Sequence, residues 1–447
     1  MHAYIETQQD RFIDELAALC AIPSVAAEGQ GIDEAAQWVA ARLAALGATV
    51  EVIPTGGSPV VYAEHGPADA ARTLLIYNHY DVQPATPLEL WESPPFTLTR
   101  RDGNLHARGV ADNKANLLSR LHAVELLQAT QGQLPLRLRW IIEGEEEIGS
   151  PGLTTFAEQY GSRWADSDGC LWEAGYKDAQ GRMTLYSGMK GIAYFELRVR
   201  GICLDSHSSN ATLLPNAAWR LVWALSTIKD ASEQICIDGF MDHVVAPGEA
   251  ELRYLAEISY DDEAIREANG IEAFVAGVSG QAALRRHLYQ PTCTICGLES
   301  GYMGEGVKTV LPSSALAKLD FRLVPDLTPE LVHELLRAHL DRRGFGDIEI
   351  VRLAGEHPAV GQVESEVVRA ALASAQHVTG IEPVFWPRMA ATGPMYPLTA
   401  PFGIPTVGFG VGYHLSGTHA PNEHIRLLDY LEGIEMAATF FTAFGAA

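Results

Sequence analysis

Residues 136–149 read LRLRWIIEGEEEIG, and this stretch decides the fold class. Its first half alternates, with Leu136, Leu138 and Trp140 on one face and two arginines on the other, which is typical of a β-strand. Ile141 and Ile142 then make the strand wholly apolar before it ends in glutamates. In an α/β fold, ligand sites lie at the ends of such strands.

The first 150 residues alternate helical and strand patterns throughout. An amphipathic helix at 117–127 directly precedes the strand described above. The alternation predicts a mainly parallel sheet covered by helices. Further strands are predicted at 49–53, 60–64 and 73–78, and a further helix ends at Gly47.

The pattern changes at Gly191. Three strands and two helices there flank a long irregular acidic stretch, an order compatible with an α+β module of one sheet and one helical layer. After about Glu356 the αβ pattern resumes and ends in a helix from Leu427. We therefore predict a discontinuous catalytic domain, 1–190 and 356–447, interrupted by a second domain at 191–355.

Composition restricts the class of protein. The 447 residues suggest roughly two to three domains. A net charge of −24 without a basic run makes nucleic acid and anionic membranes poor partners. No apolar run reaches about 18 residues, the first residues lack a signal-peptide pattern, and the six cysteines are scattered. We expect a cytoplasmic protein with buried thiols.

Acidic and histidine clusters follow several predicted strands. Read singly, each has an ordinary explanation: a local hydrogen-bond pair, a helix cap, solvated glutamates or a loop histidine. Together they offer two histidines and several carboxylates, which suit zinc or a similar divalent ion. A single metal ion would leave some of these carboxylates without a ligand role, whereas two metal ions that share one carboxylate would use all of them. The clusters are centred on His79 with Asp81, Asp112, Glu143 to Glu147, Glu173 and His419.

Four motifs carry a resemblance to a known family. They are HYD at 79–81, RGVADNK at 108–114, EEIGS at 146–150 and HAPNE at 419–423. In these motifs the chain resembles the M20 metallopeptidases, which include carnosinase-like dipeptidases, glutamate carboxypeptidases, aminoacylases and acetylornithine deacylases. The resemblance extends over nearly the whole chain. It implies a zinc-peptidase-like α/β catalytic domain with an inserted ferredoxin-like domain for lid closure and dimerisation.

The resemblance also implies a two-metal centre, with zinc as the expected ion and manganese and cobalt as alternatives. Asp112 would bridge the ions and be followed by a cis peptide bond. Glu146 would be the general base, and Asp81 would orient a ligating histidine. The other ligands would be His79 and Glu173 on one ion, and Glu147 and His419 on the other.

The inserted domain would supply substrate contacts. His207, in DSHS at 205–208, would stabilise the oxyanion, often in the partner subunit's site. Thr309 and Arg322 resemble the dipeptidase branch and would hold the substrate's carboxylate, with Arg388 as a second candidate. Three departures from the family pattern weaken the expectations for helix packing, the His207 loop and the substrate subsite. They are Asn113-Lys114-Ala115-Asn116, Ser208-Ser209-Asn210 and Ala390-Ala391-Thr392-Gly393.

The main hypothesis is therefore a di-zinc hydrolase that cleaves dipeptides with a free carboxylate and forms a homodimer through the inserted domain. An N-acyl-amino-acid deacylase is the nearest alternative, because the metal chemistry is the same. A catalytically silent, metal-stabilised binding protein would need a missing ligand or base, and none is missing. An enzyme with a single occupied metal site is the third alternative.

Overall fold

The computed structural model describes all 447 residues, which form two compact units. The first unit comprises residues 1–188, 361–388 and 394–447, and the second comprises 189–360 and 389–393. The sequence prediction placed 189–190, 356–360 and 389–393 in the catalytic domain instead. Backbone hydrogen bonds explain the difference, because Met189 and Ala359 exchange two of them and the Lys190 N–H donates to Met389 and Ala391.

The N-terminal part of the first unit alternates helices and strands as predicted. Its helices are α1 His2–Cys20, α2 Ile32–Ala45, α3 Ala115–Gln131 and α4 Leu153–Tyr160. Its strands are β1 Thr49–Ile53, β2 Val60–His65, β3 Thr73–His79, β4 Thr99–Arg101, β5 Asn104–His106, β6 Arg137–Glu143, β7 Gly169–Trp172, β8 Tyr176–Lys177 and β9 Met183–Tyr186.

The second unit is a four-stranded antiparallel sheet in the order β12-β14-β10-β15, with helices packed on one face. Its strands are β10 Gly191–Arg200, β11 Ser206–His207, β12 Thr294–Ser300, β13 Val310–Leu311, β14 Ser314–Leu323 and β15 Glu349–Glu356. Its helices are α5 Ala217–Ile228, α6 Glu249–Glu257, α7 Asp262–Asn269, α8 Gly280–Tyr289 and α9 Pro329–Arg342. The stretch predicted as irregular thus holds three short α-helices, of which α7 buries no residue.

The C-terminal part completes the first unit. Its helices are α10 Glu366–Thr379, α11 Met395–Thr399 and α12 Leu427–Gly445, and its strands are β16 Val384–Trp386, β17 Thr406–Gly408, β18 Gly412–Tyr413 and β19 His424–Arg426. The large sheet runs β1-β2-β6-β3-β7-β17-β9-β8-β18, with β16 on β9. Its central strands β6, β3, β7 and β17 are parallel, but β1 and β2 are antiparallel, so the sheet is mixed. The predicted α/β class with an inserted α+β domain is confirmed.

Two further expectations, on membrane-spanning segments and on the cysteines, can be compared with the structure. None of its helices is both long and apolar enough to cross a membrane. All six cysteines are free, but only Cys20, Cys170 and Cys293 are buried. The expectation of uniformly buried thiols was therefore wrong, because Cys203 and Cys296 lie exposed on the second unit.

Candidate active site

Three neighbouring parallel strands bring acidic and histidine side chains to one edge of the large sheet. His79 is the last residue of β3 and pairs in register with Glu143, the last residue of β6. Glu173 directly follows β7, on the other side of β3. Since the carboxyl ends of parallel strands lie at the same edge, apolar strands deliver these polar groups to one place.

Asp112 reaches this edge from the turn before α3. Gly109 begins that turn at φ +78, and a Cβ on it would lie 2.2 Å from a methyl carbon of Val82, so only glycine fits. The Asp112–Asn113 peptide bond is cis, which confirms the implication of the resemblance.

The two carboxylate oxygens of Asp112 face different histidines. Its Oδ1 lies 3.0 Å from His79 Nε2, and its Oδ2 lies 3.3 Å from His419 Nε2. Glu173 Oε2 is 3.4 Å from His79 Nε2, and Glu147 Oε2 is 3.0 Å from His419 Nε2. The five predicted ligands therefore form two groups that share Asp112.

Burial and mutual repulsion perturb the pKa values of these groups. Burial raises the pKa of Glu146 to about 8, helped by the neighbouring carboxylates and opposed by His79. Burial also raises the pKa of Glu173 well above its usual range, with Glu146 adding to the effect. Hydrogen bonds to Asp112 and Glu147 raise the pKa of His419 to about 10. The cluster is thus an excess of carboxylates held together at a buried place.

The donor set fits divalent metal ions. Ligand atoms of Asp112, Glu147 and His419 all lie within 4.8 Å of one another. The buried Glu173 Oε2 makes no hydrogen bond and faces His79, as a ligand atom would. Imidazole nitrogens with carboxylate oxygens suit zinc and similar ions, and cations would relieve the repulsion among these groups.

Asp81 holds more of the site in place than the sequence predicted. Its Oδ1 lies 3.3 Å from His79 Nδ1, the arrangement expected of an orienting partner. Its carboxylate also accepts the backbone N–H groups of Glu146 and Glu147, at 3.3 and 3.0 Å. One buried carboxylate therefore fixes both a histidine and the glutamate turn.

Glu146 differs from its neighbours in its bonding. Its carboxylate makes no hydrogen bond to the protein, whereas Glu143 accepts from Tyr77 at 2.6 Å and from Ser150 at 2.9 Å. Glu145 accepts the Ser58 N–H at 2.8 Å. In the glutamate run, Glu146 is thus a carboxylate free to exchange a proton.

Glu423 is a site residue to which sequence reasoning gave no role. Its carboxylate is 1% exposed and accepts from Arg108 Nη1 at 2.7 Å. It also accepts the backbone N–H groups of Gly109, Ala111 and Asp112, at 2.9, 2.8 and 3.1 Å. Glu423 lies in the quoted HAPNE motif, but its backbone partners have no signature in the sequence.

Arg120 and Gln83 were also missed. Arg120 is buried and donates to the backbone oxygens of Trp172 and Glu173, which fixes the end of β7. Gln83 donates to Glu147 Oε2 at 3.0 Å. Gln83 lies in the same stretch as His79, YNHYDVQP at 77–84, and its closeness to His79 in the sequence could have pointed to a role in the site.

The second unit brings two of its predicted residues together. His207 and Thr309 lie on the short paired strands β11 and β13 and their flank, with Nε2 and Oγ1 3.3 Å apart. The Ser209 N–H donates to His207 Nδ1, so Nε2 is the ring nitrogen that carries the N–H. Both side chains are exposed.

Arg322 also belongs to the second unit. Its Nη1 donates to Thr392 at 2.8 Å, and its Nε lies 3.5 Å from Asp320. Arg388 is buried in the first unit. Beside Asp112, a cavity of about 430 Å³ is lined by Tyr176, Tyr413 and other residues of the first unit.

Comparisons with known proteins agree with this geometry. The family model of peptidase family M20/M25/M40 matches residues 75–443. A Beta-Ala-His dipeptidase of Mus musculus is 30% identical, over 98% of this chain and 94% of that protein. A Cys-Gly metallodipeptidase of Schizosaccharomyces pombe is 28% identical, over 98% of this chain and 97% of that protein. The crystal structure of an M20 family metallo-carboxypeptidase from Sulfolobus solfataricus superposes with a TM-score of 0.92 at 37% identity, covering 98% and 99% of the two chains. With its metal-binding motifs, its fold and its full-length relatives in agreement, the chain belongs to peptidase family M20/M25/M40.

Proposed function

We propose that the protein is a metallodipeptidase that hydrolyses the amide bond of dipeptides with a free carboxylate. The observation that carries the proposal is the pair of ligand groups sharing Asp112, with the unbonded Glu146 carboxylate beside them. Full-length relatives named as dipeptidases support the substrate class.

Each residue of the site has a distinct task. His79, Glu173, Glu147 and His419 would hold two metal ions with Asp112 between them. When bound, the ions would acidify a water and polarise the substrate carbonyl. Glu146 would accept the proton of that water and deliver it to the leaving nitrogen. A carboxylate with no competing hydrogen bond to the protein is suited to both transfers.

The variant Glu146→Gln tests the base. Turnover should fall by about 10²–10⁴-fold, because general base catalysis is lost, while metal content stays unchanged. Glu145→Gln is the matched control, since its amide oxygen can still accept the Ser58 N–H. Near wild-type turnover by Glu146→Gln would show that another group is the base.

Thr309 and Arg322 are proposed to bind the substrate's carboxylate. If so, amidating the C-terminus of a dipeptide should lower kcat/KM by about 10–100-fold in the wild type, as for loss of a charge-assisted hydrogen bond. Arg322→Ala should lose this preference for acid over amide. An unchanged preference would remove Arg322 from the proposal, and the same comparison on Arg388→Ala tests the second candidate.

His207 is proposed to donate a hydrogen bond to the oxyanion. Because the Ser209 N–H donates to Nδ1, Nε2 is the ring nitrogen that carries an N–H, and the Thr309 hydroxyl lies 3.3 Å from it. His207→Gln retains a donor and should keep more kcat than His207→Ala, with KM nearly equal in the two. Equal kcat in both variants would contradict an oxyanion contact.

Two zinc ions per chain are proposed as the native metals. Elemental mass spectrometry of the purified protein, followed by chelation and reloading with zinc, manganese or cobalt, tests both number and identity. One tightly held ion at full activity would favour the single-metal alternative.

The deacylase alternative is separated by substrate. A panel of dipeptides and N-acyl amino acids, each with a chelator-treated control, should show chelator-sensitive cleavage of the dipeptides. Exclusive release of acyl groups would move the protein to the deacylases, and no turnover with both metals bound would favour a binding protein.

A homodimer through the second unit is also proposed. On α5, Trp219 and Trp223 are 56% and 55% exposed, with their rings stacked 5.9 Å apart. Such exposed aromatic pairs mark association surfaces. Replacing both with glutamate should convert a dimer to a monomer in analytical ultracentrifugation. Leu88→Glu, at a 58% exposed position of the first unit, is the control.

A cytoplasmic location is proposed on the free cysteines, which suit a reducing compartment. Fractionation of the source cells with an antibody tests it. Recovery in an oxidising compartment would contradict it.

A further inference from the structure

The second unit contains a cavity that none of the predicted substrate contacts lines. Its volume is about 410 Å³, within the range of small-molecule sites. One wall is the segment from Tyr260 through α7 to Val278, and the other is formed by α8 and the chain at 290–294. None of His207, Thr309 and Arg322 lines it.

The wall built on α7 is apolar. α7 buries no residue, and its Ile265 lines the cavity. Tyr260 and Phe274 add aromatic surface, with ring centroids 6.4 Å apart. This wall therefore offers an apolar face that a ligand could cover.

The lining of the cavity is also cationic. Lys190, Lys229 and Arg286 line the cavity together with a single carboxylate, Glu233, so the lining carries two net positive charges. This local excess stands in a chain whose net charge is −24. Glu233 pairs with Lys229, while Arg286 makes no ion pair and only a 3.5 Å bond to the Glu233 carbonyl.

The remaining polar groups do not offset these cations. Burial raises the pKa of the Cys293 thiol to about 12, so it stays protonated. Burial and the nearby Lys190 ammonium lower the pKa of His287, so its ring is neutral at pH 7. Lys190 is 2% exposed and donates to the carbonyls of His287 and Gln290, both at 2.6 Å. Its charge is therefore fixed in the wall.

We infer that this cavity binds a small organic anion with an apolar body, such as an aryl-alkyl carboxylate. The carboxylate would meet Arg286, and the apolar body would cover Phe274 and Ile265. The cations would repel an ammonium group, so a zwitterionic dipeptide does not fit. The ligand is thus distinct from the proposed substrate.

Two isosteric probes of opposite charge test the inference. Calorimetric titration of the metal-loaded protein with 4-phenylbutyrate should show one site per chain, with a dissociation constant of about 0.1–2 mM for a ligand of this size. 4-Phenylbutylamine should bind at least about tenfold more weakly. Equal affinity for the two probes, or no saturation by the acid, would overturn the inference.

Adjacent arginines supply a matched pair of variants. Arg286→Glu should weaken 4-phenylbutyrate binding at least about tenfold, by loss of a charge-assisted contact. Arg285→Glu makes the same charge change at an exposed neighbour outside the cavity and should leave affinity within about twofold. Equal effects, or none, would place the ligand elsewhere, including at the metal centre.

A second readout does not depend on the charge variants. Bound 4-phenylbutyrate should slow amide hydrogen exchange in α7, since the ligand covers its apolar face. Phe274→Ala, at a half-buried position, should reduce affinity without lowering the melting temperature. Exchange in α7 unaffected at saturating ligand would contradict the assigned position.

Discussion

Replacing Glu423 with glutamine should disrupt the turn that carries Asp112. Glu423 Oε2 accepts from Arg108 and Gly109, and Oε1 accepts from Ala111 and Asp112. A glutamine amide has one oxygen, so in either orientation its NH₂ group faces two donors and leaves both without a partner. Arg108, 1% exposed, also loses its counter-charge.

The magnitude follows from these contacts. Two lost hydrogen bonds to a charged acceptor cost about 1.5–3 kcal/mol each, and breaking a buried ion pair costs about 3–5 kcal/mol. Because the two costs fall on the same turn and overlap at Arg108 in one of the two amide orientations, we expect a loss of about 3–5 kcal/mol in the free energy of unfolding. The displaced Asp112 should also weaken metal binding at least about tenfold.

Urea unfolding and competition with a chromophoric chelator measure the two effects. Glu366→Gln is the control: its carboxylate is 48% exposed and pairs with Arg72, so the loss should stay below about 0.5 kcal/mol. The reasoning would be refuted if Glu423→Gln unfolded within about 1 kcal/mol of the wild type and held both metals as tightly.

Three further outcomes are expected. His122 and Arg42 outweigh burial and lower the pKa of Glu15 to about 2, so its contribution, about 1–3 kcal/mol, is present above pH 4.5 and is lost as the pH falls towards 2. Glu15→Gln should therefore destabilise the protein at pH 7 in urea titrations, by an amount that shrinks by more than half between pH 5 and pH 3; a constant difference would contradict this. Removing metal with a chelator should lower the melting temperature by at least about 5 °C, reversibly on reloading, because the ions bind only the folded site; an unchanged melting curve would argue against a metal centre. Phe195 lies in the buried core of the second unit, so Phe195→Ala should lower the free energy of unfolding by about 3–5 kcal/mol. Hydrogen exchange in α3 of the first unit should stay unchanged in this variant. Faster exchange in α3 would show that the two cores unfold together.

The sequence could place several site residues because of how parallel strands end. His79 and Glu173 end or follow short apolar stretches predicted as strands, whose carboxyl ends meet at one edge, and the resemblance to the M20 family then implied their ligand roles. Asp112 lies before an amphipathic helix, so sequence alone left a helix cap as an alternative. The structure resolves this point, because both of its oxygens face histidines.

Glu423 and the helices of the second unit could not be predicted, for different reasons. Glu423 binds backbone N–H groups more than 300 positions earlier in the chain, and every residue except proline carries such a donor. The helices α6, α7 and α8 are only eight to ten residues long and bury few side chains. Helical periodicity is read over windows of about 11–18 residues, so helices this short are easily taken for an irregular stretch.

Buried cations explain how the fold tolerates so many carboxylates at one edge. Arg120 and Lys114 are at most 1% exposed, yet neither pairs with a carboxylate. Both bind oxygens of the protein interior instead, Lys114 those of Leu19 and Ile22 and Arg120 several strand-end carbonyls. A charge bound to neutral dipoles keeps its long-range field, which acts over several ångströms in a medium of low dielectric constant. These cations therefore offset part of the repulsion among the site carboxylates without occupying any ligand atom, which leaves the oxygens of Asp112 and Glu173 available for metal.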